Sequence, residues 1–399
     1  MQAWRWLPAA VLLAAGGTAG RAEESLFVRI VSPTNSRITQ FGADGTLVWT
    51  NGAMGVTCTV QRAATLMGPS NWVDYAVCVA TNPTMTASVK GSLYLVVDLS
   101  GGTNATSYPV TYLSTVPPGG WTDEHKTTKL VLRRIPATTP DFTMGGRSTD
   151  YPGASDAGLH QVTLTQDFYI GVFEVTQRQW ELVMGNKPSY FNNPSYYQTR
   201  PVEQVSYFDI RENTNNSAIS PNWPATNAVH ADSFMGKLRG KTGLTGFDLP
   251  TESQWEYACR AGTDTALNSG YNLTNPGDND PQMNVVGRYY YNGPDTYGYD
   301  QGVETNGGTA AAGSYLANAW GLYDMHGNVW EWCLDWYGTY PGTVENPVGA
   351  ASGSTRVIRG GSWYYFANGC SSAYRNGLWP GYRYDRLGFR AALAPPGQP

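Results

Sequence analysis

Side chains able to do chemistry are sparse in this chain, and their spacing decides what they can do. The 399 residues include 5 Cys and 4 His. A thiol acts as a nucleophile or soft-metal ligand only beside a base, a second thiol or a positive charge. Cys58 and Cys78 lie in the first third, spaced equally well for a bridge within one small domain or for two reduced thiols. Cys259, Cys333 and Cys370 lie further on; three thiols cannot all pair, so one free, buried thiol is expected. His125, His160, His230 and His326 are widely scattered, and no Ser/His/Asp trio has a recognisable spacing. From Asp324 to Glu331 the text DMHGNVWE sets two hard carboxylates at short spacing around a glycine, which suits a calcium loop. The same text suits a packed core, with Trp330 and Trp332 inside and Glu331 paired to an arginine. Between Trp363 and Tyr384, eight of the 22 residues are aromatic, mixed with Ser, Gly, Asn and Arg. That is the make-up of a binding loop, in which rigid rings supply area and small polar residues adapt. An extended run such as Tyr364-Tyr365-Phe366 cannot all point inward, because successive side chains alternate. Exposed, clustered aromatics usually mean binding.

The elements that must carry these residues follow from composition. Charged residues make up 14% of the chain, against roughly a quarter in a typical soluble protein. With 46 Gly, 25 Pro, 14 Trp and 26 Tyr, the chain is neither a helical bundle nor disordered; short strands and long ordered loops are expected. Net charge is −5 and no basic run occurs, so nucleic acid is not an expected partner. Residues 1–22 read as a secretory signal: Arg5, an apolar run from Leu7 to Ala15, then small residues before Glu23. The run is too short to span about 30 Å of hydrocarbon, and no later stretch reaches the length of a membrane span. A secreted, periplasmic or cell-surface location is expected.

Residues 24–115 read as short β-branched and aromatic runs separated by Asn-Gly, Gly-Pro and Gly-Gly turns, the pattern of a small immunoglobulin- or fibronectin-like β-sandwich. Residues 116–128, with Pro117-Pro118, read as a linker, and 129–395 as a second domain. There a helix is expected from Thr176, a second over His230–Gly240 capped near Asn227, and a third capped by Thr251, with Gln254 closing a capping box and Gly262 ending it. The fold class is α+β and loop-rich.

The segments FTMGG, FYIGVFEVTQRQW, RPVEQVSYFDI, FDLPTESQWEYACRAGT, NAWGLYDMHGNVWEWCLDW, RVIRGGSW and LGFR stand in this order over about Lys129–Leu393. They resemble the sulfatase-modifying-factor family, whose best-known members are formylglycine-generating enzymes. The resemblance implies a C-type lectin-like fold. It also implies a local test of catalysis: those enzymes carry cysteines three and eight positions beyond a Gly-Gly-Ser serine, which together bind copper(I). Here Gly360-Gly361-Ser362 is followed at those places by Tyr365 and Cys370. One thiol cannot form a bis-thiolate site, and Cys259 and Cys333 fall inside other family motifs. Related sulfoxide synthases need a separate helical domain with a histidine motif, which is absent here. The sequence therefore leans against an enzyme and leaves the question open, with Ser362 and Cys370 as the residues of the oxidase alternative. The resemblance further implies calcium held by Asp324 and Glu331 carboxylates and by the Gly327 and Val329 carbonyls.

The terminal loop also resembles the variable region of diversity-generating-retroelement proteins, which use this fold and mutate adenines. That resemblance marks Tyr364, Tyr365, Phe366, Tyr374, Leu378, Trp379, Tyr382, Tyr384 and Asp385 as candidate ligand-contacting, diversified positions. The expectation is an exported, non-catalytic protein binding an extracellular protein or glycan. The alternative is a formylglycine-generating-like oxidase acting on a substrate cysteine.

Overall fold

The computed structural model describes residues 93–394 except 139–140, 156, 214, 294–307 and 341. Before residue 93 it describes the backbone of β1 (Ala9–Val11), β2 (Phe27–Val31), β3 (Arg37–Phe41), β4 (Thr46–Thr50), β5 (Thr57–Ala63), β6 (Val73–Val79) and β7 (Thr84–Ser88). Two compact units divide the chain: 1–97 with 109–120, and 98–108 with 121–399.

The first unit contains two antiparallel sheets, ordered β1-β2-β5-β6 and β3-β4-β7. Strand β8 (Tyr94–Asp98) pairs with β9 (Val110–Leu113). Cys58 and Cys78 are direct cross-strand partners between β5 and β6. Their side chains, and the signal segment apart from the backbone of β1, lie outside the described residues.

The second unit carries α1 (Glu124–Thr127), inside the stretch read as linker, then β10 (Lys129–Ile135), β11 (Phe142–Gly146), β12 (Ala157–Thr163) and β13 (Phe168–Gly171). Helices α2 (Gln177–Met184), α3 (Tyr207–Arg211) and α4 (Phe234–Thr242) follow, then β14 (Phe247–Asp248), α5 (Glu252–Arg260) and α6 (Met283–Val286). The chain closes with β15 (Trp330–Trp336), β16 (Val344–Glu345), β17 (Arg356–Arg359), β18 (Arg375–Leu378), β19 (Leu387–Gly388) and β20 (Ala392–Leu393). The sheets run β14-β20-β13-β10, β11-β12-β16 and β18-β17-β15-β19. Short strands and few helices joined by long loops give the α+β architecture that the sequence implies.

Local chemistry explains the helices. Thr176 and Thr251 each accept an N–H from the third residue onward, and Gln179 and Gln254 return the bond, so the box expected at Thr251 forms and the expected Thr176 cap is closed into a second one. A cap of this kind contributes about 1 kcal/mol. The second helix differs from expectation. Ser233, not Asn227, caps it, and it runs through Gly240 to Gly243, whose left-handed φ of 74° ends it. Helix α3, not foreseen, has its own box from Ser206 and Asp209.

The core centres on β15, buried along all but its last residue. Trp255, Trp330, Trp332 and Trp363 are fully enclosed. Charged side chains are enclosed beside them. Arg359 pairs with Glu256 and reaches Glu252 at 3.5 Å, and Arg375 donates to both Glu252 oxygens at 2.6 and 2.7 Å. These pairs tie α5 to β17 and β18.

Candidate functional site

The terminal loop starts where β17 gives way to Gly360 and Gly361, both left-handed at φ 92° and 74°. A Cβ on Gly361 would stand 2.5 Å from the Cys370 Sγ, so only glycine lets that turn close on the thiol. Cys370 is fully buried, and its Sγ donates to the Ser362 carbonyl at 3.8 Å. Burial pushes the thiol up to about 12. Cys259 is also raised to about 12 by burial, and burial holds Cys333 well above the ordinary thiol range. Tyr365, standing where the relatives' first cysteine would be, sets its ring edge-on to Trp330 at 5.0 Å. One buried, protonated thiol and a packed phenol do not fit a copper(I) site.

One cysteine does meet a histidine. The Cys259 Sγ lies 3.8 Å from the His326 Nε2. That nitrogen already accepts the Asn268 N–H at 3.0 Å, which places the ring proton on Nδ1, donated to the Cys370 carbonyl at 2.7 Å. Burial lowers the His326 pKa to about 4. With both nitrogens engaged and the ring neutral, His326 is a strut rather than a base.

The loop's aromatics divide about a turn closed by the Tyr365 N–H on the Ser362 carbonyl. Trp363 points inward, buried, its Nε1–H donated to the Asp385 carbonyl at 3.0 Å. Tyr364 and Tyr365 are half-buried, the latter packed on Trp330, and Phe366 is 45% exposed. Outside, Phe366 stacks on Tyr291 at 5.7 Å and meets the edge of Tyr290 at 5.2 Å, while Tyr364 meets Tyr290 at 6.1 Å. A second group holds Trp379, Tyr382 and Tyr384, with ring centres 5.6 and 5.5 Å apart along the series. The Arg386 guanidinium bridges the groups, 5.2 Å from the Tyr364 ring and 4.8 Å from the Tyr384 ring. Trp379 and Tyr382 are 42% and 45% exposed. The result is one aromatic face organised around a cation.

Two of the expected contact residues, Tyr365 and Tyr374, are half-buried and pack on Trp330, at 5.0 and 5.9 Å. Leu378 sits half-buried at the end of β18, opposite Arg356. Asp385 pairs with Arg386 at 3.1 Å. Tyr290, Tyr291 and Arg386 join the face although the sequence did not single them out. The consecutive tyrosines at 289–291 were the available signal.

The expected calcium residues stand in a buried acid cluster. Glu331 receives Arg390 on both oxygens at 2.6 Å and the Trp255 Nε1–H at 2.7 Å. Glu174 accepts from Asn328 and from the Val329 N–H. Asp324 and Asn328 hold left-handed φ values of 56° and 61°, which Asp and Asn tolerate. Asp324 takes the Gly313 N–H on one oxygen at 2.6 Å; its other oxygen is buried without a hydrogen bond. Burial, then the Asp324 and Glu331 charges, push Glu174 well up, and burial raises Asp324 to about 6. Three enclosed carboxylates share the one Arg390 guanidinium, and the raised Glu174 and Asp324 carboxyls relieve the charge by holding protons. The orphaned Asp324 oxygen is the one donor left open, since Glu331 is engaged by Arg390 and Trp255. Among the described residues no group of three or more His, Cys, Asp or Glu side chains is placed to hold a metal. No described helix is long and apolar enough to cross a membrane.

Comparison with known proteins agrees with this architecture. A family model described as "Sulfatase-modifying factor enzyme 1-like domain" matches residues 133–395. The formylglycine-generating enzyme of Mus musculus is 33% identical over 289 residues, covering 66% of this chain and 75% of that protein. A protein named chaperone protein LppX, from Paenibacillus barcinonensis, is 35% identical over 240 residues, covering 55% of this chain and 79% of its own length. Among solved structures, Treponema denticola variable protein 1 is similar at 29% identity and a TM-score of 0.49, covering 67% of this chain and 96% of that one.

Proposed function

The chain belongs to the sulfatase-modifying-factor family, and from that premise we propose that it is an exported, non-catalytic member whose aromatic terminal face binds an extracellular protein or glycan. The observation that carries the reading is the set of Tyr364, Phe366, Trp379 and Tyr382 held around Arg386. A folded chain that keeps large rings in water forgoes their burial, worth about 1.5–3 kcal/mol each for side chains of this size, and a ligand recovers it. The secreted, periplasmic or cell-surface location rests on the N-terminal segment. Calcium, in this reading, would be held by the orphaned Asp324 oxygen and the Gly327 and Val329 carbonyls, with Glu331 contributing only if it gives up part of its pairing with Arg390. The diversified-receptor form of the proposal is tested in the gene. A nearby near-copy of its 3′ end, differing at adenines, supports it, and the absence of one removes it while leaving binding intact.

The test of binding is an array of extracellular proteins and glycans probed with the wild-type chain, the Phe366→Ala/Tyr382→Ala double variant and a thermal-melt control. Loss of tenfold or more in affinity at unchanged melting temperature is expected; wild-type binding by the double variant refutes the face. The oxidase alternative keeps Cys370 and Ser362 as its residues. A cysteine-containing peptide incubated with the protein, copper and oxygen would yield an aldehyde by mass spectrometry if that reading held, and Cys370→Ser would remove it.

A further inference from the structure

Beneath Trp379 lies a cavity of about 250 Å³, lined by Phe208, Glu212, Trp336, Arg356, Trp379 and Pro380 among others. Its walls are aromatic. The Trp379 indole meets Phe208 edge-on at 5.8 Å, and Trp336 stacks on the Arg356 guanidinium at 3.3 Å. Two of its lining residues carry enclosed polar atoms without partners. Glu212 is 1% exposed, and one carboxylate oxygen accepts no hydrogen bond; the nearest cations, Arg211 and Arg356, stay at 3.8 and 3.9 Å. Arg356 is fully buried, gives its terminal nitrogens to the Leu334 and Trp223 carbonyls, and leaves Nε without an acceptor. Burying such groups unpaired costs on the order of 1–3 kcal/mol each, so their persistence beside a cavity points to something that pairs them.

The pattern of unmet groups selects the ligand. A cation would meet Arg356 already lying on Trp336, and a purely apolar group would leave both polar atoms unpaired. A hydroxyl can give a proton to Glu212 and accept one from Arg356, while the C–H face of a ring lies on an indole. We propose that this cavity is a subsite for a single pyranose residue, with Trp379 as the stacking wall and Glu212 and Arg356 as the hydroxyl-binding pair. The proposal rests on the binding role of the terminal face, extends it to residues of α3 and β17 outside that loop, and assigns the ligand class as saccharide.

Two variants separate the subsite from the fold. Trp379→Ala removes the wall. Gly381→Ala leaves the wall in place but displaces it, because the new Cβ would fall 1.8 and 2.1 Å from the far edge of the Trp379 indole. The probes are the methyl pyranosides of glucose, galactose, mannose, N-acetylglucosamine and glucuronate, followed by tryptophan fluorescence and by saturation-transfer NMR. At least one is expected to saturate below about 10 mM, a weak single-site affinity, and to bind at least tenfold more weakly to both variants while Leu316→Ala, at an exposed site outside the cavity lining, stays within twofold. If none saturates, or if a pyranoside binds both variants as it binds the wild type, the subsite is overturned. A protein ligand captured by the wild type and lost in the Phe366→Ala/Tyr382→Ala variant, with no pyranoside bound, overturns the subsite and leaves the face standing. A pyranoside lost from both variants while that double variant keeps every array ligand does the reverse.

Discussion

Cys370 separates enzyme from binding protein, and its environment fixes how it must behave. The perturbation is a thiol reagent added to the native protein at pH 7.5, with Cys370→Ser as the control. An ordinary thiol, at 9.0, is ionised in about one molecule in 30 at that pH; burial moves Cys370 to about 12, where the thiolate falls to about one in 30,000. The thousandfold deficit is in the reactive form alone, and enclosure beneath Gly361 and Gly369 adds a barrier to access. Cys259 and Cys333 are buried as well, so in a Cys58→Ser/Cys78→Ser background the native protein should release almost no chromophore from a disulfide reagent over the hours in which a free peptide thiol reacts to completion. Unfolding in guanidinium should then release the three remaining thiols. Cys370→Ser should lower the unfolded count by one and leave the native rate unchanged. One thiol reacting in the native state at even a tenth of the peptide rate, and lost in Cys370→Ser, would refute the reasoning and revive the oxidase.

Asp335 is buried and raised from 3.8 to about 7, first by burial and then by the Glu252 charge. A carboxyl raised by folding holds its proton more tightly in the folded state, so its contribution is full below pH 3.8 and lost as pH climbs toward 7. Roughly three units correspond to at most ~4 kcal/mol. Asp335→Asn should therefore flatten the fall in urea midpoint between pH 4.5 and 7.5, and parallel curves for the two proteins would count against it. Calcium at millimolar concentration should raise the melting temperature, chelator should reverse the gain, and Asp324→Asn should abolish it; a melt indifferent to calcium removes the metal. Tyr365→Ala should cost about 2–4 kcal/mol, because the ring fills a space against Trp330 and Gly369, whereas Tyr382→Ala should stay within about 1 kcal/mol; equal losses in chemical denaturation would contradict the inward and outward assignment.

What the sequence disclosed follows the range of the interactions. Capping acts over three residues, so the Thr251/Gln254 box and the Thr176 cap were readable from the letters, while the part of Gln179 was not singled out. The second helix was misplaced because Asn227 and Gly240 look like a cap and a stop, while Ser233 and the left-handed Gly243 bound it. Alternation says only that Tyr364-Tyr365-Phe366 cannot all point inward if extended; the chain turns there instead, and Phe366 is the exposed ring. Tyr290 and Tyr291 were missed because their contacts with Phe366 span about 75 residues. No local pattern encodes such a pair.

The low charge content takes on a different meaning once the arginines are located. Composition assigns Arg to the surface, yet Arg211, Arg356, Arg359 and Arg390 are among the largest fully buried side chains. A fold made mostly of loops buries carbonyls that no helix or sheet ladder can pair. The guanidinium fork, with five donors in one plane, meets that need. Arg390 donates to Gly171, Tyr323 and Glu331, Arg359 to Tyr374 and Glu256, and Arg356 to Leu334 and Trp223 with Glu212 3.9 Å away. Each joins segments distant in sequence. Removing Arg390 leaves Glu331 without a cation and the Gly171 carbonyl unpaired, so Arg390→Met should destabilise by about 3–5 kcal/mol despite equal bulk, whereas Arg359→Met should cost less because Arg260 still pairs with Glu256; a near-neutral Arg390→Met would show that loop packing alone holds the frame. Because much of the scarce charge is spent inside, the exterior around the terminal loop is left mainly to tyrosine, tryptophan and small polar groups around Arg386, and the face proposed to bind a ligand lies beside the positions where the relatives' thiol pair would stand.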